Sequence, residues 1–392
     1  MTSAIFLDQQ RAETLIAEHG SPLYVYDLDY LKRRVRELKR ICKSVDCLPR
    51  YAIKANPHRR IIKLFNELGL HFDASSDYEV DQAIAAGVNP AQISLSSQQP
   101  PRNMRQSLQS GIQFVATSLH QLELVSQSGW QGVLAVRLNP GLGAGHSRRT
   151  TTGGAASSFG IWHEYIPKIL DWQTRSGANI NRVHIHIGSG GDSKIWRAAI
   201  QKSLELVKKM PSVEILNMGG GFKIARIEGE KPANLGKIMD VFENELEVFA
   251  QQTNRKIRFE IEPGAWLVGH AGVLLSRVVD IVDTGKDGWR FIKLDTGMND
   301  LLRPAMYGAQ HSIEVLNNSK NSEEYVVVGH NCETGDILTP APGDPETIKP
   351  RRLNEAQIGD LVTVGGAGAY AASMRAVGYN SFPSAAEVFV NE

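Results

Sequence analysis

Apolar residues in this chain come in short runs separated by segments of helical spacing. The runs fall at 50–56, 71–76, 93–97, 113–118, 132–140, 182–190, 213–222 and 257–266, and each predicts a strand. Helical patterns lie between most of them, at 58–68, 77–86, 102–110, 119–128, 163–176, 194–209 and 234–252, and a basic-faced helix at 28–43 precedes the first strand. In 194–209, Ile195, Ala199, Ile200, Leu204 and Val207 fall on one stripe. Pro100-Pro101 suits a helix entry, where a missing N–H costs little. Eight strands alternating with helices predict a closed (β/α)8 TIM barrel. An open doubly wound sheet is the alternative. That fold usually carries its glycine-rich loop after the first strand. Here the first strand runs into Lys54 and the glycines arrive only at 219–221, which favours the barrel.

Past residue 270 the rhythm changes. Val273–Val282, Arg290–Leu294, Ser312–Leu316, Tyr325–Val328, Leu361–Val364 and Glu387–Val390 read as strands with little helix between them. The Pro-rich span from Thr339 to Pro350 reads as a loop. Near the start, a helix at 11–19 is followed by a short strand at Ser21–Tyr26. The expected domains are a barrel at 28–270 and a β-rich domain formed by 1–27 and 271–392.

Composition narrows the function. The 392 residues carry 42% hydrophobic and 22% charged side chains with a net charge of +1, ordinary for a globular protein and unsuited to nucleic acid or a charged membrane surface. The first ten residues lack the basic and apolar regions of a signal peptide, and no apolar run has membrane-spanning length. Cys42, Cys47 and Cys332 make no disulfide framework. A cytoplasmic enzyme is the expectation.

A barrel builds its active site from the C-terminal ends of its strands. Those ends offer Lys54, Asp73, Arg137 with Asn139, His184 with His186 and Ser189, Gly219-Gly220-Gly221, and Glu260 with Glu262. A lysine of lowered pKa can hold a carbonyl as an imine. Gly219-Gly220-Gly221 leaves backbone N–H groups open to an anion, and Ser189 adds a hydroxyl. His184 and His186 share one strand face, which also permits a metal or a core role. Glu262 needs a buried partner, and a protonated pyridine nitrogen would serve. Together these point to pyridoxal 5′-phosphate and to no metal. Further on, Cys332, Glu333 and Asp336 share one turn, and Gly365 to Tyr370 form a glycine-rich turn.

Several motifs occur in one order: Tyr51-Ala-Ile-Lys-Ala-Asn56, Phe72-Asp-Ala-Ser75, His184-Ile-His-Ile-Gly-Ser189, Gly219-Gly-Gly221, Glu262-Pro-Gly264, Cys332-Glu-Thr-Gly-Asp336 and Gly366-Ala-Gly-Ala-Tyr370. In this the chain resembles the fold-type III pyridoxal-phosphate decarboxylases, with an alanine racemase-like barrel, and is most similar to the diaminopimelate decarboxylases among them. The resemblance runs from about Ser21 to Val390. It implies that Lys54 anchors the cofactor and His186 stacks on its ring. Ser189, Gly219, Gly220, Gly221 and Tyr370 would bind its phosphate, with Asp73 and Arg137 also at the cofactor, and Glu262 would pair with the ring nitrogen. It implies a homodimer with shared sites. Cys332 would then act as acid at the α-carbon, while Arg303, Tyr307, Glu333, Asp336 and Tyr370 would meet an amino-acid substrate, meso-2,6-diaminopimelate, to give L-lysine.

Two positions depart from the family. Ala265 stands where an arginine usually follows Glu-Pro-Gly and helps hold a substrate carboxylate, and Ser157-Ser158 replaces a frequent lysine. Arg303 remains, and Arg102, Arg148 or Arg149 could take over the contact. Ornithine, lysine, arginine, carboxynorspermidine or a siderophore or antibiotic precursor are alternative substrates. A racemase would carry arginine at the ring nitrogen, so Glu262 argues against one. A non-catalytic binding homologue should have lost Lys54, His186, Glu262 and Cys332, and all four are present.

Overall fold

The computed structural model describes residues 6–143 and 152–391. The chain forms two compact units. One comprises Arg34–Lys223 and Pro232–Trp266; the other takes the chain up to Arg33, the short segment Ile224–Lys231, and everything from Leu267.

The first unit is the barrel. Its strands are β1 (Cys47–Ala52), β2 (His71–Ala74), β3 (Ile93–Leu95), β4 (Gln113–Ala116), β5 (Val133–Asn139), β6 (Asn179–His184), β7 (Ile215–Asn217) and β8 (Arg258–Ile261). Each pairs in parallel with the next, and β8 pairs with β1 through Phe259 and Cys47, which closes the ring. Parallel strands covered on both faces read as unbroken apolar runs, which is why their existence was plain in the sequence. The strands are shorter than those runs, because the last residues of each run leave the ladder and turn into the mouth. Lys54 illustrates this. It lies on a single 3-10 turn, Ile53–Ala55, directly after β1. Asn56 N–H donates to the Ile53 carbonyl at 3.0 Å, and Tyr51 Oη donates to the Asn56 carbonyl at 2.8 Å.

The helices start where a short polar side chain satisfies a first-turn amide. Ser76 Oγ accepts from Glu79 N–H, Ser118 Oγ from Gln121 N–H and Asn234 Oδ1 from Lys237 N–H, at 3.0–3.1 Å. Their apolar faces cover the strands: Trp196 stacks on Phe222 at 4.9 Å, and Phe242 meets Phe259 edge-on at 5.0 Å.

The second unit is mostly sheet. Strand Gly272–Asp283 pairs antiparallel with Arg290–Leu294, with Leu361–Val364 and with the early strand Leu23–Asp27. Leu23–Asp27 also pairs in parallel with Ala386–Val390, so the chain's start and end lie side by side. Tyr24, Leu274, Leu294, Tyr325 and Val364 are buried in its core. The Pro-rich span differs from expectation. It is a hairpin, Pro340–Ala341 against Asp344–Ile348, followed by strand Arg351–Asn354. Proline is tolerated there because this two-stranded ribbon leaves edge positions that need no N–H.

Candidate active site

A polar layer beneath the barrel mouth positions the residues above it. Alternate residues of a strand share a face. Register places Arg50 beside His71, Arg137 beside His184, and Asn217 beside both His184 and Glu260. Glu260 accepts from Arg50 Nε at 3.0 Å and Nη2 at 2.9 Å, and Arg182 Nη2 lies 2.5 Å away. Gln113 Oε1 takes Arg50 Nη2 at 2.7 Å, and Ser94 Oγ takes Arg182 Nη1 at 3.0 Å. Burial alone would raise the Glu260 pKa, but Arg182 and Arg50 hold it down at about 2. Glu260 is therefore a core anion tied to two guanidiniums, and it lies below the mouth.

Asn217 links this layer to the next. Its Nδ2 donates to Glu260 Oε2 at 3.2 Å and to Glu262 Oε1 at 2.7 Å, while its Oδ1 accepts Gly219 N–H at 2.8 Å. His184 Nε2 sits 3.2 Å from the other Glu262 oxygen. Burial opposes ionisation of Glu262, yet His184, Arg182 and Lys54 keep its carboxyl well below the usual range. Asp73 behaves in the opposite way. Fully buried, with Glu262 close by, it is pushed up to about 8, although Ser96 Oγ donates to it at 3.0 Å. Two carboxylates in one pocket thus differ in charge near neutral pH, and the sorting comes from their partners.

His186 lies two residues past the end of β6. Burial, then Lys54 and Arg137, drive its pKa well below the ordinary value, so the ring is neutral. Its Nδ1 is buried without a hydrogen-bond partner. Arg137 is buried with its guanidinium 4.9 Å from the Phe159 ring centroid. Lys54, Asp73, Arg137, His186 and Glu262 lie near enough to shift one another's protonation, which gathers them at one end of the barrel.

The glycine loop after β7 is required by space. A Cβ on Gly221 would sit 1.8 Å from the Gly188 carbonyl oxygen, and one on Gly220 would sit 2.2 Å from that of Glu262. Gly219 and Gly221 have φ of +66° and +99°. Among the described residues, the Gly220 and Gly221 amides meet no acceptor. An ionised carboxylate, a neutral imidazole with an open nitrogen, a lysine and open glycine amides fit a pyridoxal phosphate. Ser189 follows Gly188 beside this loop.

Other predicted residues lie in the β-rich unit. Arg303 and Tyr307 share the short helix Arg303–Tyr307, and Tyr370 has a left-handed φ of +56°, an uncommon state for a tyrosine. Cys332 and Glu333 are exposed on one turn. Tyr379 Oη donates to Glu333 at 3.1 Å, and Asn380 Oδ1 accepts the Cys332 amide at 2.8 Å. Asp336 is buried and accepts Met298 N–H, Asn331 N–H and Asn331 Nδ2, so it braces this turn.

Other sequence readings find different homes. Asn139 ties down its own loop through Gly141 and Gly154. Arg102 is spent at the surface on Asp77 and Asp81, at 2.7 and 2.5 Å. Arg148 and Arg149 lie outside the described residues. Among the described residues, no three His, Cys, Asp or Glu side chains cluster as a metal site. Asn217 was missed, and its spacing two residues before Gly219 was the available signal.

Residues 28–269 match the family described as pyridoxal-dependent decarboxylase, pyridoxal binding domain. The chain belongs to that family: it is a pyridoxal-phosphate-dependent carboxy-lyase built on a barrel with a β-rich unit. Among named relatives, the diaminopimelate decarboxylase of Streptomyces coelicolor is 33% identical over 98% of this chain and 88% of its own length. That of Escherichia coli K12 is 32% identical over 96% and 91%. The solved diaminopimelate decarboxylase of Helicobacter pylori, in complex with L-lysine, has a TM-score of 0.86 at 28% identity, covering 97% of this chain and 94% of that one.

Proposed function

We propose that this enzyme removes CO2 from meso-2,6-diaminopimelate to leave L-lysine. One observation carries the substrate: the likeness to enzymes named diaminopimelate decarboxylase extends over nearly the whole chain, the β-rich part as well as the barrel.

Pyridoxal phosphate, when bound, supplies an electron sink for the bond pair left by the departing carboxylate. The chain's own residues make that sink effective. Lys54 anchors the cofactor at the mouth. Gly219, Gly220, Gly221 and Ser189 receive its phosphate, joined by Tyr370. Glu262, kept ionised by His184 and Asn217, would hold a proton on the cofactor's ring nitrogen. A neutral His186 offers a flat face without competing charge. Asp73 and Arg137 set the field around Lys54. Cys332 delivers the proton to the α-carbon, and Glu333, aligned by Tyr379, takes the distal amine. Asp336 holds both in place. Arg303 and Tyr307 take the distal carboxylate.

The exposed Cys332 and Glu333, fixed on a braced turn, support a homodimer in which each copy lends that turn to the other's site. The free thiols at Cys42, Cys47 and Cys332 support a cytoplasmic setting. No helix among the described residues is long and apolar enough to cross a membrane.

Substrate profiling tests the reading. CO2 release from meso-diaminopimelate, matched by L-lysine, should exceed release from lysine, ornithine, arginine and carboxynorspermidine. Turnover of one of the others, with none of diaminopimelate, would reassign the substrate.

A further inference from the structure

After β7 the chain leaves the barrel at Ile224 and belongs to the β-rich unit up to Lys231. Arg226, in this excursion, is only 9% exposed. Its Nε donates to the Gly366 carbonyl at 3.1 Å, and its amide donates to Glu230 Oε2 at 2.7 Å. Its Nη2 is buried without a hydrogen-bond partner. Gly366 makes room for it: a Cβ there would lie 2.9 Å from Arg226 Cγ.

Two more open nitrogens belong to the same unit. Arg303 Nε is buried and unpartnered, with its guanidinium 5.9 Å from the Tyr370 ring centroid. His311 is 2% exposed; its Nδ1 sits 2.8 Å from the Gly365 carbonyl and its Nε2 has no partner. Arg226 and His311 hold the carbonyls of two adjacent residues, Gly366 and Gly365, in the glycine-rich turn that ends at Tyr370, the ring nearest Arg303. Burial and then Arg303 lower the Arg226 pKa, while burial and then Arg226 and Arg303 lower that of His311. Glu230 acts on both guanidiniums and offsets one of the two charges. Buried guanidinium N–H groups without acceptors are costly unless an anion completes them. Two guanidinium edges suit a carboxylate, which each can grip in the plane of its oxygens.

We propose that Arg226, with Arg303, forms the subsite for the substrate's carboxylate remote from the reacting carbon. Arg226 thereby supplies the guanidinium that Ala265 removes from its usual place. This rests on the diaminopimelate reading, since lysine, ornithine, arginine and carboxynorspermidine lack that carboxylate.

L-lysine and 1,5-diaminopentane share two amines and differ by one carboxylate, so their binding to the holoenzyme isolates the subsite. Calorimetry on wild type, Arg226→Gln and Arg226→Lys, with a parallel pyridoxal phosphate titration, is the test. Arg226→Gln should weaken L-lysine by about 10–100-fold, the scale of a charge-assisted pair. Diaminopentane and cofactor affinities should hold, and Arg226→Lys should fall between. Unchanged lysine affinity overturns the proposal. Weaker cofactor binding with lysine preference intact also overturns it, by making the anion the cofactor's phosphate. Equal loss of both amines in both variants makes Arg226 structural and overturns it too. A wild type that discriminates the two amines through Arg226 but releases no CO2 from meso-diaminopimelate would sink the substrate reading alone.

Discussion

Glu262 and Asp73 show how single residues acquire opposite chemistry. Both are buried carboxyls, and desolvation raises both. Glu262 faces His184, Asn217 and Lys54 and stays ionised, whereas Asp73 faces Glu262 and holds its proton up to about pH 8. The mechanism depends on the Glu262 charge itself, not merely on a side chain of that shape. Glu262→Gln should therefore lower kcat by at least about 100-fold, as loss of a preorganised electrostatic contact does, while the cofactor still binds. Stopped-flow CO2 release together with a cofactor titration would check this, and an unchanged kcat would remove Glu262 from the mechanism. Glu262 was legible because a carboxylate in a barrel mouth demands a partner. Its neighbour Asn217 was not, because a lone asparagine at the end of a short strand looks like a turn residue until the register is known.

The barrel strands carry a second lesson. Arg50, Arg182 and Glu260 lie on inward faces of β1, β6 and β8, inside runs that otherwise read as apolar. A sequence pattern assigns such positions to a strand, but three-dimensional register decides whether they point at the mouth or at one another. Glu260 was therefore grouped with the mouth, and the structure gives it to the layer below. Removing one member of a buried charge network strands the rest, typically at about 3–5 kcal/mol. Glu260→Gln should destabilise the protein on that scale in urea titrations at neutral pH. The pH sign also follows. The folded pKa is depressed from 4.5 to about 2, so this stabilisation is complete above 4.5 and is lost as pH falls through that window. The variant should show a flatter acid limb there; an acid limb matching wild type would contradict the pairing.

For the whole molecule, the alternation of strand and helix and the later change to strands made both the barrel and the β-rich portion readable. The excursion Ile224–Lys231 was not readable, because a short polar segment after a glycine loop carries no periodicity. It is also where Arg226 lies, so the sequence alone points to Arg102, Arg148 and Arg149 and not to the residue proposed to replace the missing arginine. Assembly belongs to this scale as well. If Cys332 serves the partner's site, mixing inactive Lys54→Ala and Cys332→Ala proteins under exchange should restore activity, since each hybrid dimer regains one intact site; no recovery despite proven exchange would contradict the shared site. The most direct test of the central claim, that the barrel mouth around Lys54 holds the cofactor, is borohydride reduction of the holoenzyme followed by peptide mass analysis. The cofactor's mass should be found on the peptide carrying Lys54 and be lost from Lys54→Ala, whereas labelling of a different lysine, or of none, would contradict it.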